Sequence, residues 1–265
     1  MTPTQDYLKK CRQIVDVISA QEALILRAAE WFSQTILAGR MVHVFGSGHS
    51  RIMVEEMWPR YGSFPGFNPI VELSLTFHNL VVGANGQRQA MFLENTPGLA
   101  ERILRNFAIS SQDSALIISS SGSNVVPIEM AELFQKNNVR VVAILTRQHS
   151  DKSRSKRADG KKLGDFADLI LDTGAPAGDA MVYVEGLSTP VSPGSTVGGA
   201  LIINSIKAEV ARLLTAAGKP PKVLSGAVLV GEQKAVELFE SAYDEHAHRL
   251  ARLYENVGRE VDKLK

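Results

Sequence analysis

The sequence predicts an α/β protein: a three-layer αβα sandwich around a five-stranded parallel sheet of order 2-1-3-4-5, with helices added at both ends. Three observations lead there. Short β-branched runs alternate with segments patterned at helical spacing, which predicts right-handed crossovers and a parallel sheet covered on both faces. Two loops rich in Gly and Ser, GSGHS at 46–50 and SSSGSN at 119–124, follow the first and third of those runs. In this strand order the first and third strands are neighbours at the switch point, where ligands bind beyond the carboxyl ends, so both loops should face one crevice.

Residues 4–38 carry Ile14, Val15 and Ile18, then Leu24, Ile25, Ala28, Phe32 and Ile36, at helical spacing, so one or two helices precede the first strand, with Gly39 as a stop. MVHVF at 41–45 is the first strand and RIMVEEMW a helix that Pro59 and Gly62 close. SFPGFNP reads as a loop before a short second strand around IVEL, 70–73. Helical pieces are expected at Gln87–Glu94 and Pro97–Phe107, broken at NTPG. Leu116, Ile117 and Ile118 end the buried third strand, and a helix with Asn124 as its N-cap runs to about Asn137. VRVVAILT at 139–146 is the fourth strand. Residues 147–164, with seven Lys or Arg against two Asp, read as a solvated loop with a basic face. ADLILDTG at 167–174 is the fifth strand and MVYVEG at 181–186 a candidate edge strand. A helix opens after Gly194 and ends near Gly218, and a long charged helix spans 232–264 with Glu245–Arg249 and Glu255–Arg259 pairs. Its apolar seam runs through Val236, Phe239, Tyr243, Leu250, Leu253 and Val257, and His246 falls on it. The expected division is N-terminal helices at 1–38, the sheet domain at 39–218 and a helical extension at 219–265.

A chain of 265 residues, 45% apolar and 22% charged, can bury a sizeable core and is ordinary for a soluble globular protein. A formal net charge of +1 offers no global attraction to nucleic acid or an anionic membrane, so neither is expected as a partner. One cysteine, Cys11, leaves no internal disulfide and no cysteine-rich zinc site, and no His, Cys or carboxylate cluster has metal-ligand spacing. The amino terminus MTPTQDYLKK has no apolar signal core, and no run reaches the roughly 18 apolar residues of a membrane span. The expectation is a cytoplasmic protein.

The serine loop carries the chemistry. Between the third strand and its helix, backbone N–H groups, the helix dipole and hydroxyls from Ser119, Ser120, Ser121 and Ser123 would surround one anion without any lysine. The competing reading is a strand-to-helix loop that happens to be serine-rich. GSGHS does not complete a dinucleotide fingerprint, because Arg51 stands where the third glycine would permit close helix–strand packing, although Glu72 could mimic the ribose-binding acid. No cofactor is expected. His49 and Ser50, at the helix start, either touch a ligand or only cap the helix.

FGSGHS at 45–50, SSSGSN at 119–124 and GST at 194–196, opening a late helix, together resemble the SIS (sugar isomerase) domain over about residues 20–216. The resemblance implies the five-stranded sandwich and a serine loop that holds the phosphate of a sugar phosphate. Ser119, Ser121, Ser123 and Asn124 would bind it, with Ser50 contributing. His49, Ser120, Ser195 and Thr196 complete the candidate substrate-binding set. Within the family, Glu56 to Gly62, EMWPRYG, is similar to the E-C-P-P-T-(Y/F)-G stretch of N-acetylmuramic acid 6-phosphate etherases, whose glutamate is the catalytic acid. Their second glutamate, the base, follows a glycine-containing turn and an apolar helix, and VVGANGQRQAMFLEN places Glu94 there. Met57 and Trp58 replace the cysteine and first proline, and Asn95 stands where glycine is usual, which points to a different pocket and a different sugar.

The chemistry asks for such a pair. Removing the carbon-2 proton of an open-chain aldose phosphate needs a positioned base, and a desolvated carboxylate of raised pKa suits that task. A second carboxyl can stay protonated and serve a leaving oxygen at carbon 3. Glu94 as base and Glu56 as acid fill these roles, against the alternative that each is a solvated helix carboxylate; Glu55 is the surface member of its pair. His43 reads as a satisfied core histidine, and His78 lies near where a sugar could sit. His246 is either a packing residue or a ring-opening or proton-shuttling group, and it joins Glu94 and Glu56 as a catalytic candidate. The functional expectation is a lyase or isomerase acting on an (N-acetyl)hexosamine 6-phosphate by carbon-2 proton abstraction, tilted toward elimination at carbon 3. Its alternatives are an aldose–ketose isomerase and a non-catalytic phosphosugar-binding regulator. The terminal helices, with their seams, predict a homodimer with sites near the subunit boundary.

Overall fold

The computed structural model describes residues 1–76, 86–255 and 257. It opens with α1 (Pro3–Ser19) and α2 (Glu22–Leu37). The Thr2 hydroxyl accepts from the Gln5 N–H while the Gln5 side chain accepts from Thr2, a reciprocal cap that fixes where α1 begins. Ile14 and Ile18, then Ile25, Ala28, Ala29, Phe32 and Ile36, are buried, so each helix turns one apolar stripe inward. In order follow β1 (Val42–Gly46), α3 (Arg51–Met57), β2 (Phe67–Ile70), α4 (Leu73–Thr76), α5 (Gln87–Leu93), α6 (Leu99–Leu104) and β3 (Ser114–Ile118). Next come α7 (Val125–Lys136), β4 (Arg140–Leu145), α8 (Arg147–Lys152), β5 (Leu169–Asp172), β6 (Ala180–Val182) and β7 (Val191–Pro193). The helices α9 (Ser195–Ala216), α10 (Ala227–Val230) and α11 (Glu232–Tyr254) complete the described chain.

Strands β1 to β5 form one sheet, parallel as the alternation of strands and helices predicts and in the expected order β2-β1-β3-β4-β5. Gly46 of β1 pairs with Ile118 of β3, so the two Gly/Ser loops leave the sheet from adjacent residues. The period of two sorts side chains between two cores. Val42, Val44, Leu116, Ile118, Val142, Ile144 and Leu171 face α1, α2, α3 and α9. Phe45, Ala115, Ile117, Val141 and Ala143 face α6 and α7. Helix α9 lies so close to β5 that a Cβ on Gly198 would sit 1.9 Å from the Thr173 carbonyl oxygen, which restricts this position to glycine.

At the opposite, amino-terminal edge of the sheet, Asp113 accepts two bonds from Arg40, at 2.7 and 2.9 Å, and one from the Ser110 N–H at 2.8 Å. His43 is fully buried, with Nε2 at 3.2 Å from Asp113 and Nδ1 at 3.0 Å from Asn68 Nδ2, the satisfied core histidine that strand alternation predicts.

Four expectations need correction. The second strand is Phe67–Ile70 and not 70–73: it lies at the sheet edge, where Pro69 needs no partner for a missing N–H. Residues 147–164 are not a bare loop, since α8 forms at its start, where Thr146 O accepts from His149 and Ser150, and a single 3₁₀ turn closes at Leu163–Phe166. The segment after Asp179 does not join the main sheet; β6 pairs antiparallel with β7 in a separate ribbon. Helix α11 stops at Tyr254, where Glu255 turns extended. His78 lies outside the described residues, as does Arg259 of the Glu255–Arg259 pair.

Candidate functional site

The loop after β1 is a 3₁₀ turn at Gly48–Ser50 that runs directly into α3. It is tight enough that a Cβ on Gly46 would lie 2.7 Å from the Ser50 carbonyl oxygen, so a glycine is required at the strand end. His49 is exposed and Ser50 half-buried at the start of α3, and the Ser50 side chain does not cap the helix.

The serine loop bends back on itself beside it. Ser119 accepts from the Gly122 N–H through both its carbonyl and its hydroxyl, at 3.2 Å each. The Ser121 hydroxyl accepts from the N–H and the hydroxyl of Ser123, at 3.3 and 2.9 Å. Gly122, at φ +59°, makes the left-handed turn at the centre of the loop. The Ser120 hydroxyl bonds Thr146 at 3.1 Å, and Thr146 bonds Thr173 at 2.7 Å, tying the ends of β3, β4 and β5 together. Among the described residues the N–H groups of Ser120, Ser121, Asn124 and Val125 donate to no other protein group, and they lie within one turn of chain that an anion could bridge.

Glu94, the residue after α5, joins the two loops. Its Oε2 accepts from the Ser47 hydroxyl at 2.8 Å and its Oε1 from Asn124 Nδ2 at 2.6 Å. Its backbone carbonyl accepts from the Val126 N–H at 2.9 Å, so Glu94 caps α7 with its main chain. That corrects the cap expected of Asn124, which occupies the N-cap position while its side chain holds the carboxylate. Glu94 is 9% exposed. Burial pushes its carboxyl above the ordinary range; the Ser47 bond, the charge of Lys156 and the Asn124 bond pull the other way without cancelling it. A desolvated, hydrogen-bonded carboxylate of raised pKa is a stronger proton acceptor than a solvated one.

Glu56 stands in a different setting, at the end of α3 against α9. Asn204 Nδ2 donates to its Oε1 at 2.9 Å, Arg60 pairs with its Oε2, and Lys207 Nζ donates to its carbonyl at 2.8 Å and to Ser63 at 3.2 Å. Burial raises the Glu56 carboxyl, but the Asn204 bond, Arg60 and Lys207 together carry it below the ordinary value. In this arrangement Glu56 holds its charge, which opposes the protonated acid expected of it. Glu56 and Glu94 share no hydrogen-bond partner among the described residues. Glu55 is exposed and pairs with Arg51 at 3.2 Å, the surface role expected.

The late helix start is already occupied. Asp179 Oδ1 accepts from the N–H groups of Gly194 and Ser195, at 3.0 and 2.7 Å, and Oδ2 accepts from the Ser195 hydroxyl at 2.5 Å. An internal carboxylate therefore sits where the sequence reading places substrate contacts of Ser195; Thr196 is half-buried beside it. His246 packs its ring 5.1 Å from that of Trp58, which also meets Tyr243 at 5.5 Å. Its buried Nδ1 has no partner among the described residues, and burial together with Arg249 holds its pKa below the ordinary value, so the ring stays neutral as a packing group does. Sequence reasoning missed Ser47 and Asp179. Ser47 lies inside the GSGHS motif and was legible there; Asp179 lies in a loop with no signature. Among the described residues, no His, Cys, Asp and Glu side chains cluster so as to hold a metal ion, and no helix is long and apolar enough to cross a membrane.

A family model described as the SIS domain matches residues 6–146. A UPF0309 protein of Halalkalibacterium halodurans is 31% identical over 227 residues, 85% of this chain and 91% of the relative. One from Listeria innocua is 29% identical over 247 residues, 93% of this chain and 96% of the relative. Among solved structures, a phosphoheptose isomerase from Francisella tularensis aligns with a TM-score of 0.51 at 13% identity, over 80% of this chain and 100% of that one, a likeness of fold.

Proposed function

The chain belongs to the SIS domain family, and from that premise we propose that it is an enzyme that removes the carbon-2 proton of an open-chain aldose phosphate, an (N-acetyl)hexosamine 6-phosphate by class. The observation that carries this reading is the placement of Glu94: a buried carboxylate of raised pKa, held by Ser47 from one Gly/Ser loop and by Asn124 from the other. The serine loop offers the phosphate the N–H groups of Ser120, Ser121, Asn124 and Val125 and the hydroxyls of Ser121 and Ser123. With the phosphate fixed, the sugar extends from the loop toward the carboxylate, and binding energy at a non-reacting group positions the reacting one. Glu94 takes the proton from carbon 2, and the electron pair moves into the carbonyl to give an enolate, which is an enediolate where carbon 2 bears a hydroxyl.

Where carbon 2 bears a hydroxyl, Glu94 can return that proton to carbon 1 while the O2 proton passes to O1, and no acid at carbon 3 is needed, which makes the aldose–ketose isomerase the outcome this geometry favours for such a sugar. Elimination at carbon 3, the outcome the Glu56 resemblance favours, requires Glu56 to take up a proton that Arg60, Asn204 and Lys207 now disfavour. A non-catalytic phosphosugar binder would have no use for the raised pKa of Glu94. We propose further that the protein is a homodimer, supported by the exposed Val228, Leu229, Val236 and Phe239 on α10 and α11, which a second copy would cover; sedimentation of a monomer at micromolar concentration would refute this.

The test is incubation with N-acetylglucosamine 6-phosphate, N-acetylmuramic acid 6-phosphate and simple hexose and heptose phosphates in deuterated water, followed by NMR and ultraviolet absorbance. Deuterium at carbon 1 or 2 with a ketose product, lost in Glu94→Gln, supports the isomerase. An unsaturated, ultraviolet-absorbing product replaces it with the lyase. Binding without exchange for every sugar overturns the catalytic reading.

A further inference from the structure

We infer that Lys156 supplies the cation of the serine-loop site: the segment between α8 and the 3₁₀ turn at Leu163–Phe166 is laced onto the serine loop so that this side chain stands over the anion position. This deepens the proposed function and rests on its reading of the serine loop as the phosphate cradle. Two backbone bonds make the lacing. The Lys156 N–H donates to the Ser123 carbonyl at 2.9 Å, and the Leu163 N–H donates to the Gly122 carbonyl at 2.8 Å. Gly122 also packs against Leu163, whose Cβ would lie 3.4 Å from a Cβ added at the glycine, so the two segments meet closely between those bonds.

Three of the cations near Lys156 are engaged in holding the segment, and Arg154, exposed as Lys156 is, is not among the charges that act on Glu94. Arg157 bridges Glu132 and Asp159 at 2.7 and 2.8 Å. Lys162 donates to the Ser150 carbonyl at 2.6 Å, and Lys161 lies over the Phe166 ring at 5.2 Å. Lys156 differs. It is exposed, its ammonium makes no hydrogen bond or ion pair among the described residues, and its charge is nonetheless close enough to the buried Glu94 to pull that carboxyl downward. The structural duty at this position belongs to its backbone N–H, which any residue except proline could supply. The lysine side chain is therefore free to serve the ligand.

A phosphate dianion on the serine loop is repelled by the Glu94 carboxylate that Asn124 of that loop holds, and neutral hydroxyls and N–H groups offset that repulsion only in part. One ammonium at the rim offsets it and adds a charge-assisted hydrogen bond. The ligand class that follows is a sugar whose phosphate is a dianion; the neutral sugar gains nothing from Lys156.

The experiment is calorimetric titration of wild type, Lys156→Gln and Lys156→Arg with N-acetylglucosamine 6-phosphate, with N-acetylglucosamine and with inorganic phosphate, at low and high salt. The expected result is an affinity for both phosphate probes reduced about 10- to 100-fold in Lys156→Gln, a flatter salt dependence in that variant, near-wild-type binding in Lys156→Arg, and unchanged thermal unfolding in both. Wild-type affinity and salt dependence in Lys156→Gln would overturn the inference. If wild type binds inorganic phosphate but no phosphosugar, the proposed substrate class falls while Lys156 is still judged by the phosphate titration. If wild type binds neither probe, both fall.

Discussion

The Ser47 hydroxyl donates to Glu94 Oε2 at 2.8 Å, so the loop that ends β1 terminates on a carboxylate that Asn124 of the serine loop grips from the other side. The bond favours the charged form of Glu94, and Ser47→Ala removes that support. The carboxyl then rises further, so the acid limb of the pH–rate profile should move to higher pH with the sugar phosphate identified by the exchange assay. A limb that stays in place would separate Glu94 from the rate.

Glu94 carries a stability cost that follows from the same burial. Its folded pKa lies above the ordinary glutamate value of 4.5, so the fold favours the protonated form. Its contribution is favourable below that value and is lost as pH rises through the folded pKa. At neutral pH the neutral isostere removes the cost: Glu94→Gln should lower turnover by about 10²- to 10⁴-fold and raise stability by about 1 kcal/mol. Turnover assays paired with urea unfolding check both, and a variant that is slower and also less stable would count against burial as the source of the shift.

Asp113 behaves oppositely. Burial raises its carboxyl, but His43, Arg40 and the Ser110 N–H outweigh burial and hold it below the ordinary aspartate value of 3.8. Its stabilisation is present above pH 3.8 and is lost as pH falls from there through the folded pKa. Asp113→Ala leaves Arg40 and His43 without their acceptor, and a loss of about 3–5 kcal/mol is expected at pH 7. Urea unfolding at neutral pH and in the acid range measures it; a pH-independent difference between variant and wild type would refute the assignment.

Asp179 caps α9 with three accepted hydrogen bonds from a left-handed backbone, φ +58°. Asp179→Asn keeps an acceptor and tolerates that φ, so it should cost about 0.5–1 kcal/mol, chiefly the charge at the helix N-terminus. Asp179→Ala loses the cap and should cost about 1–2 kcal/mol. A melting temperature of Asp179→Ala equal to that of wild type would show that the cap contributes nothing.

Gly198→Ala places a methyl 1.9 Å from the Thr173 carbonyl oxygen, a backbone atom that cannot step aside. A loss of about 3 kcal/mol or more is expected, with Gly178→Ala, where no atom lies within 4 Å but φ is +85°, as a milder control. Comparable unfolding midpoints would mean that α9 can lift from β5.

Much of this was legible in the chain. The parallel sheet is legible in the alternation of apolar runs with helical segments, the order 2-1-3-4-5 in the doubly wound arrangement that sets the two Gly/Ser loops side by side, and the burial of His43 in alternation alone. Local pattern misled where the deciding contact is remote. Pro69 broke the strand pattern, and only the edge position of β2, unknowable from the segment itself, makes that proline acceptable. Glu94 was found by resemblance, but its partners Ser47 and Asn124 come from segments 47 and 30 residues away. Asp179 and Lys156 are set in place by bonds with Ser195 and Ser123, and nothing in their own neighbourhoods marks those contacts. The setting of Glu56 depends on Asn204 and Lys207, about 150 residues further on, so its charge state could not be read from EMWPRYG.

One main-chain bond joins the residue that carries the buried carboxylate to the helix that follows the serine loop. Because the Glu94 carbonyl accepts the Val126 N–H, the residue that bears the carboxylate is fastened by its main chain to the first turn of α7, the same turn from which the serine loop arrives. Any displacement of that turn is transmitted to the carboxylate-bearing residue by a main-chain hydrogen bond as well as by the Asn124 side chain. The serine loop's helix and the carboxylate-bearing residue are thus parts of one lever: a shift of one is a shift of the other.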